Sequence, residues 1–143
     1  MKKTLSSILL LSALVSSAAH AGSGKAIVAH WGASVSQFNY VFMSNISNNP
    51  LDVTVTYYQH DGTLLSDSSK VFHNFTNNDA TIAASNTAHI QLKPPAWTRG
   101  YAVIEWKNQG TDDDTVGLVA HSWRAMASGE NTFSIPVNNG QPF

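Results

Sequence analysis

The chain has 143 residues, 43% of them hydrophobic and 12% charged, with no cysteine and a formal net charge of -1. It is too apolar and too weakly charged for a wholly disordered chain. It also lacks the basic excess of a nucleic-acid binder, so no nucleic-acid partner is expected. Without cysteine there is no disulfide framework, no thiolate nucleophile and no cysteine-ligated zinc site.

The first element in chain order is an export signal. Lys2 and Lys3 precede an apolar stretch from Ile8 to Val15, and Ala19-His20-Ala21 has the small-x-small form of a cleavage site. Residues 1–21 therefore read as a signal peptide and 22–143 as a single domain. The stretch falls short of the roughly 20 apolar residues of a spanning helix. No later stretch is longer, so no membrane span is expected after cleavage. The mature part keeps six basic and nine acidic residues, a formal charge of -3. It is long enough for one core without covalent staples. So short and basic a leader points to a bacterial periplasmic or secreted protein. In that setting the sequons Asn45-Ile46-Ser47 and Asn74-Phe75-Thr76 read as chance.

The mature region shows no 3.6-residue periodicity. It is a series of short β-rich runs broken by Asn, Gly, Asp and Pro. The first run is 25–31. The second is 38–47, with Phe38, Tyr40, Phe42 and Ile46 on one face, ended by Asn48-Asn49-Pro50. In 51–60, Leu51, Val53, Val55 and Tyr57 alternate with Asp52, Thr54, Thr56 and Tyr58, the pattern of a half-buried strand. Asp61-Gly62 then predicts a tight turn, with Leu64 and Leu65 starting the return. Further runs occupy 70–75, 80–84 and 87–92. Pro94-Pro95 forces an extended connection. The strands 100–107 and 116–125 flank a polar loop, and 132–137 is the last strand. Pro136 cannot donate to a ladder, so that strand belongs at an edge.

Seven to nine short strands at roughly ten-residue spacing predict an all-β protein, an antiparallel β-sandwich with Greek-key connections. The succession VTVTYYQHDGTLL, TIAASNTAHIQL, GYAVIEW and LVAHSWRA, within residues 38–125, resembles small exported bacterial immunoglobulin-like or fibronectin III-like modules. It is also similar in pattern to the sensory rhodopsin transducer family, whose members form oligomeric β-sandwiches. The resemblance implies a sandwich and carries over no functional residue.

Three constellations are candidates for chemistry. If 101–107 and 117–123 pair across their loop, Glu105 lies diagonal to His121, where a carboxylate and an imidazole can share a metal or a proton. Asp112, Asp113 and Asp114 offer consecutive oxygen ligands of the kind calcium takes, although not in EF-hand order. Trp97, in the Pro94-Pro95-Ala96 connection and beside Arg99, is the best candidate for an exposed sugar-stacking platform, with Tyr58 as a second aromatic. Trp31, Trp106 and Trp123 are expected to fill the core or cover its rim. There is no nucleophile elbow and no phosphate-binding glycine loop, and no cofactor is expected. The leading expectation is an exported non-enzymatic module for binding, adhesion or assembly. Its partner would be a protein or glycan at the cell surface or in the periplasm, and self-association is a further expectation. The alternatives are a carbohydrate-binding module using Trp97, Arg99 and Tyr58, and a metal-dependent hydrolase using Glu105 and His121.

Overall fold

The computed structural model describes residues 22–129 and 132–143; the predicted leader lies outside them. Nine strands form in chain order: β1 Ser23–Ala33, β2 Gln37–Asn45, β3 Leu51–Gln59, β4 Lys70–His73, β5 Thr81–Ile82, β6 Thr87–Leu92, β7 Thr98–Asn108, β8 Leu118–Met126 and β9 Phe133–Pro136. They build two antiparallel sheets, one ordered β1-β7-β3-β5 and the other β4-β6-β2-β8-β9. The expected all-β sandwich is therefore present. Neighbours in space are distant in sequence: β1 lies beside β7, and β2 lies between β6 and β8. Among the described residues only β8 and β9 are consecutive strands paired within one sheet; every other pair of consecutive strands lies in opposite sheets. In immunoglobulin domains the first two strands are neighbours. Here β1 pairs with β7. The β9 strand with Pro136 lies at a sheet edge, as its missing donor requires.

Most of the core's ring volume comes from the four-stranded sheet. Trp31, Tyr57 and Trp106 are all buried, and Trp31 meets the edge of Tyr57 at 6.0 Å between centroids. The register of β1 against β7 shifts between Val28 and Trp31. This bulge inserts one residue and reverses the alternation, so Ala26, Val28 and Trp31 all face inward. Trp31 Nε1–H donates to the Tyr101 carbonyl at 2.9 Å. Its partner across the ladder is Gly100, where a Cβ would lie 1.8 Å from the Tyr58 carbonyl oxygen.

The opposing sheet meets these rings with smaller side chains. Val41, Ala88, Ala120, Asn39 and Ser122 are buried, and Asn39 Nδ2–H donates to Ser122 Oγ at 3.0 Å. Large facing small is how two layers interdigitate at native density. Asn45 is a buried polar hub. Its amide donates to the carbonyls of Asn49, Ile82 and Ala83, and its Oδ1 accepts from the N–H and hydroxyl of Ser47. One side chain thus ties β2 to the segment that follows it and to the end of β5.

The turn at Asp61-Gly62 forms as expected. Gly62 has φ +84, and Asp61 Oδ1 accepts from the Thr63 N–H and hydroxyl. Those bonds hold the Asp61 carboxyl below the usual carboxylate range. The return strand, however, is a single bridge, Tyr58 to Leu64, before the chain leaves for the other sheet. The tail is less irregular than its composition suggests. Val137–Gly140 forms a 3-10 turn, and the Phe143 carbonyl accepts from Gly117, Leu118 and Trp106.

Candidate functional site

Pairing separates the first predicted constellation. The β7 strand pairs with β1 and β3, while β8 pairs with β2 and β9. The premise that 101–107 and 117–123 are partners is therefore corrected: their loop passes from one sheet to the other. Glu105 projects from the outer face of the four-stranded sheet, where it bonds Lys25 Nζ at 3.0 Å. His121 projects from the outer face of the five-stranded sheet. The pair makes no joint site. The acidic loop is used structurally in part. The Asp114 carboxylate accepts from Asn49 Nδ2 at 3.2 Å, and its carbonyl accepts from Asn108 Nδ2 at 3.1 Å. Among the described residues no three His, Asp or Glu side chains gather in a metal-holding group.

Trp97 is 49% exposed, but one of its ring faces is occupied. The Arg124 guanidinium lies 5.0 Å from its centroid and 5.7 Å from that of Phe133, while Arg124 also donates to Gln37. A shallow depression of about 240 Å3 joins Trp97, Thr98, Arg99 and His60. Tyr58 stacks on Tyr101 across the β3–β7 ladder, centroids 4.9 Å apart and planes 11° apart. The register puts Arg99 diagonal to Tyr58 on the same outer face.

The feature that single-strand reading misses lies on the outer face of the five-stranded sheet. Pairing aligns His73, His89, Phe42, His121 and Pro136 in one row across all five strands. The adjacent row is Val71, Gln91, Tyr40, Trp123 and Ser134. The rings stand side by side: His73 on His89 at 4.4 Å, His89 on Phe42 at 4.7 Å, and Phe42 on His121 at 5.1 Å. Tyr40 packs on Trp123 at 5.2 Å, and its hydroxyl accepts from Gln91 Nε2 at 2.8 Å. Trp123 thus belongs to an outer surface, whereas Trp31 and Trp106 fill the core.

Each histidine is outward because its chain neighbours are inward, as with Ala88 and Ile90 around His89. That much can be read in any one strand. Their assembly into a row depends on register, which one strand does not encode.

Burial first, and the neighbouring His73 second, hold His89 below the ordinary histidine range. No carboxylate occurs in either row. Lys93 Nζ lies 5.5 Å from the Phe38 ring and caps one end of the array. Compared with protein-family models, curated proteins and solved structures, the chain matches none.

Proposed function

We propose that this protein is an exported, non-enzymatic binding module that meets its partner through the outer face of the five-stranded sheet. One observation carries the reading: a contiguous array of Tyr40, Phe42, Trp123, His73, His89 and His121 occupies a sheet face that would ordinarily be polar. Strand spacing of about 4.8 Å and about 6.8 Å between same-face residues give the ten positions of the two rows roughly 330 Å2. That is the size of a functional patch on a monomer. It is less than half the area each partner contributes to a standard protein interface. The reading is therefore contact with a protein or glycan of the bacterial periplasm or cell surface, and not an obligate dimer through this face alone. Bacterial export, the periplasmic or secreted location and the immunoglobulin-like character belong to the same proposal.

The test is a Phe42→Thr/Trp123→Thr double variant. Protein and variant are offered to isolated cell envelopes and to a panel of insoluble polysaccharides, with unfolding curves to verify the fold. Binding by the wild type and its loss in the folded variant support the proposal. Equal retention of both proteins, or no binding by either, overturns it.

A second reading, carbohydrate recognition at Trp97, rests on the depression that joins its exposed ring to Arg99 and His60. In this reading Trp97→Ala abolishes polysaccharide retention and the Phe42/Trp123 double variant keeps it.

A further inference from the structure

The β5 strand has two residues and covers only Leu51 and Asp52 of β3. Past it, the Val53 N–H reaches the Ala80 carbonyl at 2.7 Å, and the Tyr57 carbonyl accepts from the Leu65 N–H at 3.0 Å. In an antiparallel ladder alternate residues turn their main-chain groups to opposite sides, so Val53, Val55 and Tyr57 turn theirs away from β7. Between those two contacts, the Val53 carbonyl, both main-chain groups of Val55 and the Tyr57 N–H have no strand partner among the described residues. Beside this open edge lies a cleft of about 650 Å3 between the two sheets, lined by Val55, Leu65, Phe72, Phe75 and Ile90. Residues 64–67 close one end of it and residues 75 and 79–80 the other.

We propose that the β3 edge is an acceptor site for an extended peptide segment of a partner protein. The segment pairs with Val53–Tyr57 over about four residues and lowers alternate apolar side chains into the cleft. The chemistry of the edge selects this occupant. Donors and acceptors repeating at strand spacing match another main chain, and a trough on one side of them, lined in part by Val55, Leu65, Phe72, Phe75 and Ile90, matches period-two side chains. A folded second copy does not fit, because its own β3 sends Val53 and Tyr57 into its own core and would leave the cleft empty. The C-terminal segment of the chain is already committed, with the Phe143 N–H bonded to the Leu118 carbonyl. Three charges line the cleft. Lys70 and Asp67 neutralise each other at 2.7 Å. Asp79 has no cation among the described residues, so it favours a segment with a basic residue beside its apolar positions. The proposal does not depend on the ring-lined face, and neither result decides the other.

The probe is a fluorescent nonapeptide in which valine and threonine alternate between terminal lysines. One control has the same composition with the alternation destroyed, and another carries alternate backbone N-methyl groups. Hydrogen exchange comes first. In dilute protein the Val55 and Tyr57 amides should exchange at least about 100-fold faster than those of Thr54 and Thr56, which face β7. They should slow when the alternating peptide is added, and the peptide should bind saturably by fluorescence anisotropy. Val55→Pro removes the edge donor and leaves the β7 side of β3 intact; it should abolish binding. Phe75→Lys, at the cleft, is the second variant and should weaken binding at least tenfold even if the proline variant does not fold. Four results each overturn the proposal: equal protection of all four amides in dilute protein, protection that appears only as the protein dimerises, no binding of the alternating peptide, or equal binding of either control.

Discussion

The two sheets share a core, but their outer faces differ. On the four-stranded sheet the outer row of Lys25, Glu105 and Thr54 is charged or hydroxylated, Tyr58 and Tyr101 stack farther along that face, and Trp31, Tyr57 and Trp106 point inward. On the five-stranded sheet Tyr40, Phe42 and Trp123 point outward, and the inner side holds aliphatic residues such as Met43, Ile90, Leu92 and Leu118 beside the small and polar Ala88, Ala120, Asn39 and Ser122. Volume accounts for the inversion. Trp31, Tyr57 and Trp106 take up much of the space between the layers, so the opposing strands meet them with aliphatic and small side chains and not with further indoles. Alternation identifies which residues share a face. Which face is interior is decided by what the other sheet has placed inside.

The sharpest way to break this comparison is to truncate one tryptophan from each sheet. Trp31→Ala should cost about 3–5 kcal/mol in urea unfolding, as expected for an enclosed indole. Trp123→Ala should cost no more than about 1.5 kcal/mol, the scale of an aromatic pair. Equal losses would remove the distinction. The inner side of the five-stranded sheet is tested next. Asn45→Ala strands the partners of its hydrogen bonds and should cost about 2–3 kcal/mol in the same assay.

A smaller effect should appear in the pH dependence of stability. The folded-state pKa of His89 lies below the ordinary value of 6.5. The unfolded chain therefore takes up a proton first as pH falls. Its contribution is complete above that value and is lost as pH descends toward the folded pKa. Unfolding midpoints should drop between pH 7.5 and pH 5.5, and His89→Gln should flatten the slope. The smallest change is expected on the opposite face. Glu105→Gln breaks an exposed ion pair with Lys25 and should alter stability by less than about 1 kcal/mol. A larger loss would mean that this face is not the passive one.

Much of the fold could be read from the chain. The run at 51–60 carries its own answer, since Leu51, Val53 and Tyr57 are buried and Thr54 is exposed. The edge position of Pro136 follows from its missing donor. The site was far less legible. Phe38, Tyr40 and Phe42 announce a common face, yet their strand offers Val41 and Met43 as a rival apolar face, and no local signal chooses between them. His73, His89 and His121 are separated by 16 and 32 positions; only the registers of β4, β6, β2 and β8 bring them together. The pairing of Glu105 with His121 failed for the same kind of reason. A short polar loop between two strands suggests a hairpin, and here it bridges the layers instead.

The enclosed amide of Asn45 bears on how this protein is produced. Asn45-Ile46-Ser47 is an acceptor for oligosaccharide transfer in a eukaryotic secretory pathway, where the nascent polypeptide is modified before it folds. A glycan attached there would have to occupy the position where the nitrogen meets three carbonyls, so the tagged product could not close its layers. Yeast or mammalian secretion should therefore yield misfolded material unless that sequon is disabled at Ser47, for instance by Ser47→Ala, at the cost of the hydroxyl's bonds to Asn45 Oδ1 and to the carbonyl and N–H of Asn49. Asn74, exposed on its loop, would bear the same sugar harmlessly.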